Sequence, residues 1–253
     1  MQLTQPLHRA LACRPDALAT VCFGRRHTFA QFHDRVARFA GALQSLGVQA
    51  GDRVGMLSLN SDRYVEYYMA VPWAGAAVSP INTRLAASEI SYALDDCDTR
   101  VLLIDDPFLP LLPELRRLSR SLKTLIHVGD QPTPEGLLSY EALLAGAQPV
   151  PDTCRSGRDL AGVFYTGGTT GTSKGVMLSH DALAMNGLWL AAEGIAHEGD
   201  IGLHAAPMFH MADGCFLNAL WAVGATHVTL PSFTPLGMLQ ALELERVNST
   251  ALV

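Results

Sequence analysis

The 253-residue sequence predicts an α/β protein with doubly wound, mainly parallel sheets. Three observations carry that expectation. Short β-branched apolar runs recur at 53–58, 76–80, 100–105, 123–128 and 160–165, and periodic helical stretches alternate with most of them. Apolar residues make up 49% and charged residues 17%, enough to bury a sizeable core. No stretch reaches the roughly eighteen consecutive apolar residues of a spanning helix, and the amino terminus lacks a continuous apolar core behind a basic start, so no signal peptide is read. The expectation is a soluble, cytoplasmic protein.

In chain order, 7–13 reads as a short helix that ends before Arg14-Pro15, 17–23 as a strand and 26–28 as its return after the Gly24-Arg25-Arg26 turn. Thr28 with Gln31 three residues on makes a capping box. The helix it opens puts Phe29, Phe32, Val36, Phe39, Leu43 and Leu46 on one face and stops at Gly47, so those phenylalanines are core packing. A strand at 53–58, a helix at 62–73 and a strand at 76–80 follow. Ser88 is expected to cap a helix through Leu94. Next come a strand at 100–105, a helical Leu/Arg-rich stretch over 108–122, a strand at 123–128 and a short helix near 140–144. Residues 150–158 (VPDTCRSGR) are polar and aperiodic and divide the chain into parts 1–149 and 159–253, with 150–158 as connector. The second part has a strand at 160–165, a strand at 176–178, a helix at 181–192 with Ala, Leu and Trp on its buried side, a strand at 201–206, a helix at 212–223, a strand at 227–230 and a helix at 236–245.

The net charge of −6 and the lack of any basic run argue against a nucleic-acid partner. The five cysteines (Cys13, Cys22, Cys97, Cys154, Cys215) are odd in number and form no CxxC pair, which fits reduced thiols and neither a disulfide frame nor a zinc site.

The most informative stretch is Thr166-Gly167-Gly168-Thr169-Thr170-Gly171-Thr172-Ser173-Lys174-Gly175, set between two strands: four glycines, four threonines, a serine and one lysine in ten residues. Glycine lets backbone N–H groups turn toward an anion at close range. Hydroxyls add donors, and a lysine supplies a compact charge. Such a loop cradles a polyphosphate. The P-loop pattern fails here, because from Gly168 the register puts Ser173 where a glycine belongs and Gly175 where a hydroxyl belongs. The dinucleotide fingerprint fails too, since the loop leads into a strand and not a helix. A bland surface hairpin with an incidental lysine needs two or three special residues, not ten.

The stretch resembles the phosphate-binding signature of the adenylate-forming superfamily, which comprises acyl-CoA synthetases, luciferases and peptide-synthetase adenylation domains. Its usual form is Tyr-Thr-Ser-Gly-Thr-Thr-Gly-x-Pro-Lys-Gly. Gly167 stands here for the serine and Ser173 for the proline. The runs HTFAQFHDRVARFAGALQSLGVQAGDRV and GAAVSPINTRLAASEISYALDDCDTRVLLID also look like the amino-terminal half of an acyl-CoA synthetase, so the resemblance covers nearly the whole chain. It implies the large amino-terminal domain of that fold, incomplete at its carboxyl end. It implies that Thr166, Gly167, Gly168, Thr169, Thr170, Gly171 and Lys174 bind ATP phosphates, with Thr166 and Lys174 catalytic. The Pro207-Met208-Phe209-His210 turn matches a superfamily sequence in which Phe209 and His210 border the acyl pocket. Spacing alone makes His210 a hydrogen-bonded core histidine, the reading kept for His180, His204 and His227.

The implied reaction activates a carboxylic acid, a fatty acid by expectation, with MgATP to an acyl-adenylate and passes it to coenzyme A. The main magnesium ligand, the adenine and ribose contacts and a second domain are expected beyond residue 253, which makes this chain an amino-terminal portion, inactive alone. A peptide-synthetase adenylation domain or a luciferase-like oxidase competes within the superfamily. Outside it stand a non-catalytic remnant that binds nucleotide or a partner, and an unrelated nucleotide hydrolase.

Overall fold

The computed structural model describes residues 1–167 and 173–252. In chain order the elements are α1 (Gln5–Cys13), β1 (Leu18–Cys22), β2 (Arg25–Thr28), α2 (Phe29–Ser45), β3 (Arg53–Leu57), α3 (Asp62–Trp73), β4 (Ala77–Pro80), α4 (Ala87–Asp96), β5 (Val101–Ile104), a 3₁₀ turn (Asp106–Leu111), α5 (Leu112–Leu118), β6 (Thr124–His127), β7 (Leu138–Ser139), α6 (Tyr140–Gly146), β8 (Leu160–Tyr165) and β9 (Gly175–Ser179). Then come α7 (His180–Ala192), β10 (Ile201–His204), α8 (Met211–Val223), β11 (Thr226–Thr229), α9 (Pro235–Glu245) and β12 (Ser249–Thr250).

Two sheets result. One has seven strands in the order β7-β6-β5-β3-β4-β8-β9, parallel except for the β8–β9 hairpin. The other has five, β12-β10-β11-β1-β2, parallel except for the β1–β2 hairpin. Mixed, mainly parallel α/β sheets are therefore what the chain forms. Each sheet draws strands from both sides of residues 150–158.

Helix α3 touches strands of both sheets and every one of its residues is buried. Tyr64, Tyr67 and Tyr68 pack ring against ring at 5.5–5.7 Å. The charged residues of α3 survive burial because each is paired: Asp62 with Arg25, Glu66 with Arg35, Arg63 with Asp130 and Glu141. The α2 capping box forms as expected, with Gln31 N–H donating to Thr28 Oγ1 and Thr28 N–H to Gln31 Oε1, and Gly47 ends that helix at φ +87°, a conformation that favours glycine. Of the predicted face, Phe29, Phe32, Val36, Phe39 and Leu43 are fully buried and Leu46 partly so. Residues 150–158 carry no regular element but are tied down: Trp73 Nε1 donates to Val150 O, and Asp152 accepts from Thr4 Oγ1 and pairs with His8.

Three local expectations need correction. Ser88 does not cap α4. The helix starts at Ala87, and Glu89 reaches back to accept from Ala86 N–H, half of a capping box without a hydroxyl. The 108–122 stretch is not one helix, since its start, with Pro107 and Pro110, forms the 3₁₀ turn, Pro113 sits in the first turn of a separate α5, and α5 ends at Leu118. In α7, Trp189 is 66% exposed and not buried. Gly187 makes the close approach there; a Cβ on it would sit 2.5 Å from Asn218 O of α8. A helix apolar on all sides carries no periodic clue to which face that will be.

Candidate functional site

The hairpin β8–β9 builds the first half of the site. Leu160 to Tyr165 is an apolar run that enters the seven-stranded sheet beside β4, and β9 returns antiparallel to it with Tyr165 opposite Gly175. Past that register the mouth is closed by Thr166 N–H donating to Lys174 O at 3.0 Å, Lys174 N–H to Thr166 Oγ1 at 3.4 Å, and the Ser173 hydroxyl to Thr166 O. Gly175 is required by proximity, since a Cβ would meet Val163 Cγ1 at 2.9 Å and Tyr165 Cζ at 3.1 Å. Thr166, Gly167 and Lys174 are exposed at this mouth. Gly168, Thr169, Thr170 and Gly171 lie outside the described residues.

Charge is spent differently here than elsewhere. The chain has only two lysines, Lys123 and Lys174, against sixteen arginines. Among the described residues the cationic partners of the ion pairs are arginines, histidines and the amino terminus, so Lys174 makes none. Beside the mouth, burial and a 2.7 Å hydrogen bond to Asp96 push the Tyr165 phenol far up, which keeps it a neutral donor.

The second half follows β10. The turn 207–210 leads into α8, whose amino-terminal cap is His210; its Nδ1 accepts from Ala212 N–H at 3.3 Å. His210 is exposed, not a core histidine. Because Nδ1 accepts, the neutral imidazole carries its hydrogen on Nε2. Phe209 is half-buried and packs, with Leu178 of β9 and Met211, against the cluster that forms most of the core. The hairpin and the 207–210 turn thus belong to different sheets but share one apolar cluster.

His204 and His227 are buried core residues, as read from the sequence, but linked in a way spacing did not show. His204 Nδ1 lies 2.7 Å from Asp213 Oδ2, and His204 Nε2 lies 2.9 Å from His227 Nδ1. Burial, then the neighbouring His204, holds the His227 pKa well below its ordinary value. Asn60, between β3 and α3, was also missed. Its amide nitrogen donates to His204 O and Ala206 O, and its carbonyl oxygen accepts from Met208 N–H. Nothing in hydrophobic periodicity marks a lone buried asparagine.

A polar cleft of about 400 Å³ opens elsewhere, at the opposite edge of the seven-stranded sheet, lined among others by Arg63, His127, Asp130 and Glu141. Its charged groups are already engaged with one another. Among the described residues no cluster of three His, Cys, Asp or Glu side chains could hold a metal ion, and no helix is long and apolar enough to cross a membrane.

With this geometry in place, comparison with known proteins is specific. The model of the AMP-binding enzyme family matches residues 7–253. A long-chain-fatty-acid–CoA ligase of Thermus thermophilus is 39% identical over 252 residues, covering 96% of this chain and 45% of that protein. A 4-hydroxybutyrate–CoA ligase of Metallosphaera sedula is 32% identical, covering 96% of this chain and 46% of that protein. Among solved structures, the anthranilate CoA ligase AuaEII in complex with anthranoyl-AMP superposes with TM-score 0.89 at 29% identity, over 96% of this chain and 48% of that one. ATP-bound MatB from Rhodopseudomonas palustris superposes with TM-score 0.82 at 29% identity, over 96% and 48%. The chain spans about half the length of the curated relatives it matches. A match that starts at residue 7, includes the Gly/Thr loop with its lysine and runs through the turn after β10 places this chain in the AMP-binding enzyme family.

Proposed function

We propose that this chain carries the phosphate-binding loop and part of the acid pocket of an enzyme that activates a carboxylic acid, a fatty acid in our reading, with MgATP and transfers the acyl group to coenzyme A. Thr166, Gly167, Gly168, Thr169, Thr170 and Gly171 present amides and hydroxyls to the β- and γ-phosphates, and Lys174 lies over them as a mobile cation. Phe209 and His210 border the acid. The main magnesium ligand and the second domain lie outside this chain, so residues 1–253 alone show little or no ligase activity.

The physical logic is electrostatic. When a carboxylate attacks the α-phosphorus, negative charge develops on the departing pyrophosphate. A preformed set of donors around that group stabilises the transition state without reorganising. Losing one donor costs about 2–4 kcal/mol by analogy with an oxyanion donor. The observation that carries the reading is Lys174 itself: exposed, hydrogen-bonded through its backbone to Thr166 at the hairpin mouth, and in no ion pair among the described residues. Coenzyme A as acceptor draws its support from the names of the relatives.

The test is ATP–pyrophosphate exchange in a complete protein of the relatives' length that contains this chain. Lys174→Ala should slow exchange far more than acyl transfer from a supplied acyl-adenylate. An unchanged exchange rate refutes the assignment.

A further inference from the structure

The stretch after β10 leaves the sheet at His204 and has to place Phe209 and His210 before α8 begins at Met211. Past the ladder bond from Leu230 N–H to His204 O, side chains distant in sequence hold it. Asn60 Nδ2 donates to His204 O at 3.0 Å and to Ala206 O at 2.8 Å, while Asn60 Oδ1 accepts from Met208 N–H at 2.8 Å. Tyr68 completes the grip by donating from its hydroxyl to Met208 O at 2.8 Å. Thus both backbone groups of Met208 are satisfied by residues of the β3–α3 region, some 140 positions earlier. At its upstream end the stretch is anchored again, because the His204 ring is locked between Asp213 and His227.

Asn60 is 5% exposed and Met208 fully buried. The Asn60 side chain offers donors and an acceptor in one plane, so it can span alternating C=O and N–H groups of an extended backbone. Alanine would leave Ala206 O and the Met208 amide unmatched in a buried site, while His204 O keeps its bond from Leu230 N–H, and aspartate would set a carboxylate against two carbonyl oxygens.

We propose that Asn60 is a positioning residue for acid recognition: it fixes the 204–208 backbone so that Phe209 and His210 face the substrate carboxylic acid. The inference rests on the reading of Phe209 and His210 given under Proposed function, and its test separates the two. In a complete protein containing this chain, exchange driven by straight-chain acids from acetate to palmitate is measured for wild type, Asn60→Ala and Asn60→Asp. The expected result is a rise of tenfold or more in the KM for the acid in both variants, larger for Asp, with the KM for ATP changed less than twofold. A residue that merely supports the fold would move both constants together, and that result, or no change at all, overturns the proposal. Wild type that exchanges with no acid sinks the pocket reading itself, whatever Asn60 does.

Hydrogen exchange on the 253-residue chain decides the structural step independently of activity. In Asn60→Ala the protection of the Met208 amide should drop at least tenfold while that of Leu103 in β5 stays put. Equal protection of Met208 in both proteins contradicts the proposed clamp, and if the alanine variant does not fold, Asn60→Asp is read the same way.

Discussion

The two edges of the seven-stranded sheet use charge in opposite ways. At the β6–β7 edge, Arg63 donates to Val128 O, Gly129 O, Asp130 and Glu141. Arg35 grips Glu66 and Glu141, Tyr140 donates to Glu66 at 2.6 Å, and Arg25 joins Asp62 to Asp130. The guanidinium groups are engaged by carboxylates and carbonyls, so the adjoining cleft has shape but little unspent charge. At the β8–β9 edge a lysine stands exposed beside a threonine and makes no ion pair among the described residues. A saturated network holds a fold together, whereas an unmatched cation beside hydroxyls is left for something else to neutralise.

Breaking the first edge should cost stability. Arg35→Ala leaves Glu66, fully buried, without its cation, a change that typically destabilises by about 3–5 kcal/mol. Urea unfolding should show it as a large drop in midpoint; a shift below about 1 kcal/mol would mean the network adds little. The other edge should behave inversely. Lys174→Ala should move the urea midpoint by less than about 0.5 kcal/mol but slow pyrophosphate exchange by about 10²–10³-fold. Thr166→Val is an intermediate case: it removes the oxygen that accepts from Lys174 N–H, with an expected stability loss of about 0.5–1.5 kcal/mol by urea unfolding.

The smallest effect sharpens the comparison through pH. Burial alone would raise Asp62, Asp106 and Glu141, but hydrogen bonds outweigh it: from Arg25 to Asp62, from the Gln131 and Asp130 amides and His127 to Asp106, and from Arg35 and Arg63 to Glu141. All three sit below their ordinary values. The stability they lend is complete above the unfolded carboxylate pKa of about 4 and is lost as pH falls through their lowered folded values. Glu66 has the opposite sign, because burial raises it despite Arg35, so protonating it as pH falls relieves a penalty. Burial lowers His27, His33, His180 and His227 as well, so the unfolded chain takes up protons there below about pH 6.5 and stability starts to fall. The urea midpoint should therefore decline gently from about pH 7 to 5 and more steeply below about pH 4, and Asp62→Asn should soften the steeper part.

Much of the fold could be read from the residues because the signals were local. The α3 range matched its prediction to the residue, and β8 did likewise. The Ser88 cap failed because the helix begins one residue earlier, at Ala87, with Glu89 accepting from the Ala86 amide, and the Trp189 face failed because a tertiary contact at Gly187 chooses it. In the candidate site, Thr166 and Lys174 were legible because a dense Gly/Thr run is itself the signal. Asn60 and the Asp213–His204–His227 chain were not, since their partners lie up to 148 residues away and no pattern along the chain encodes such pairings.

The central claim, that the hairpin mouth grips the tail of a polyphosphate with a cation that makes no ion pair among the described residues, has a direct test in this chain. Calorimetric titration of the 253-residue protein with inorganic tripolyphosphate should show binding that weakens at least tenfold in Lys174→Ala, while Arg116→Ala, on an exposed arginine of α5 that donates to Gly136 O, binds as wild type does. Equal binding by wild type and Lys174→Ala would contradict it.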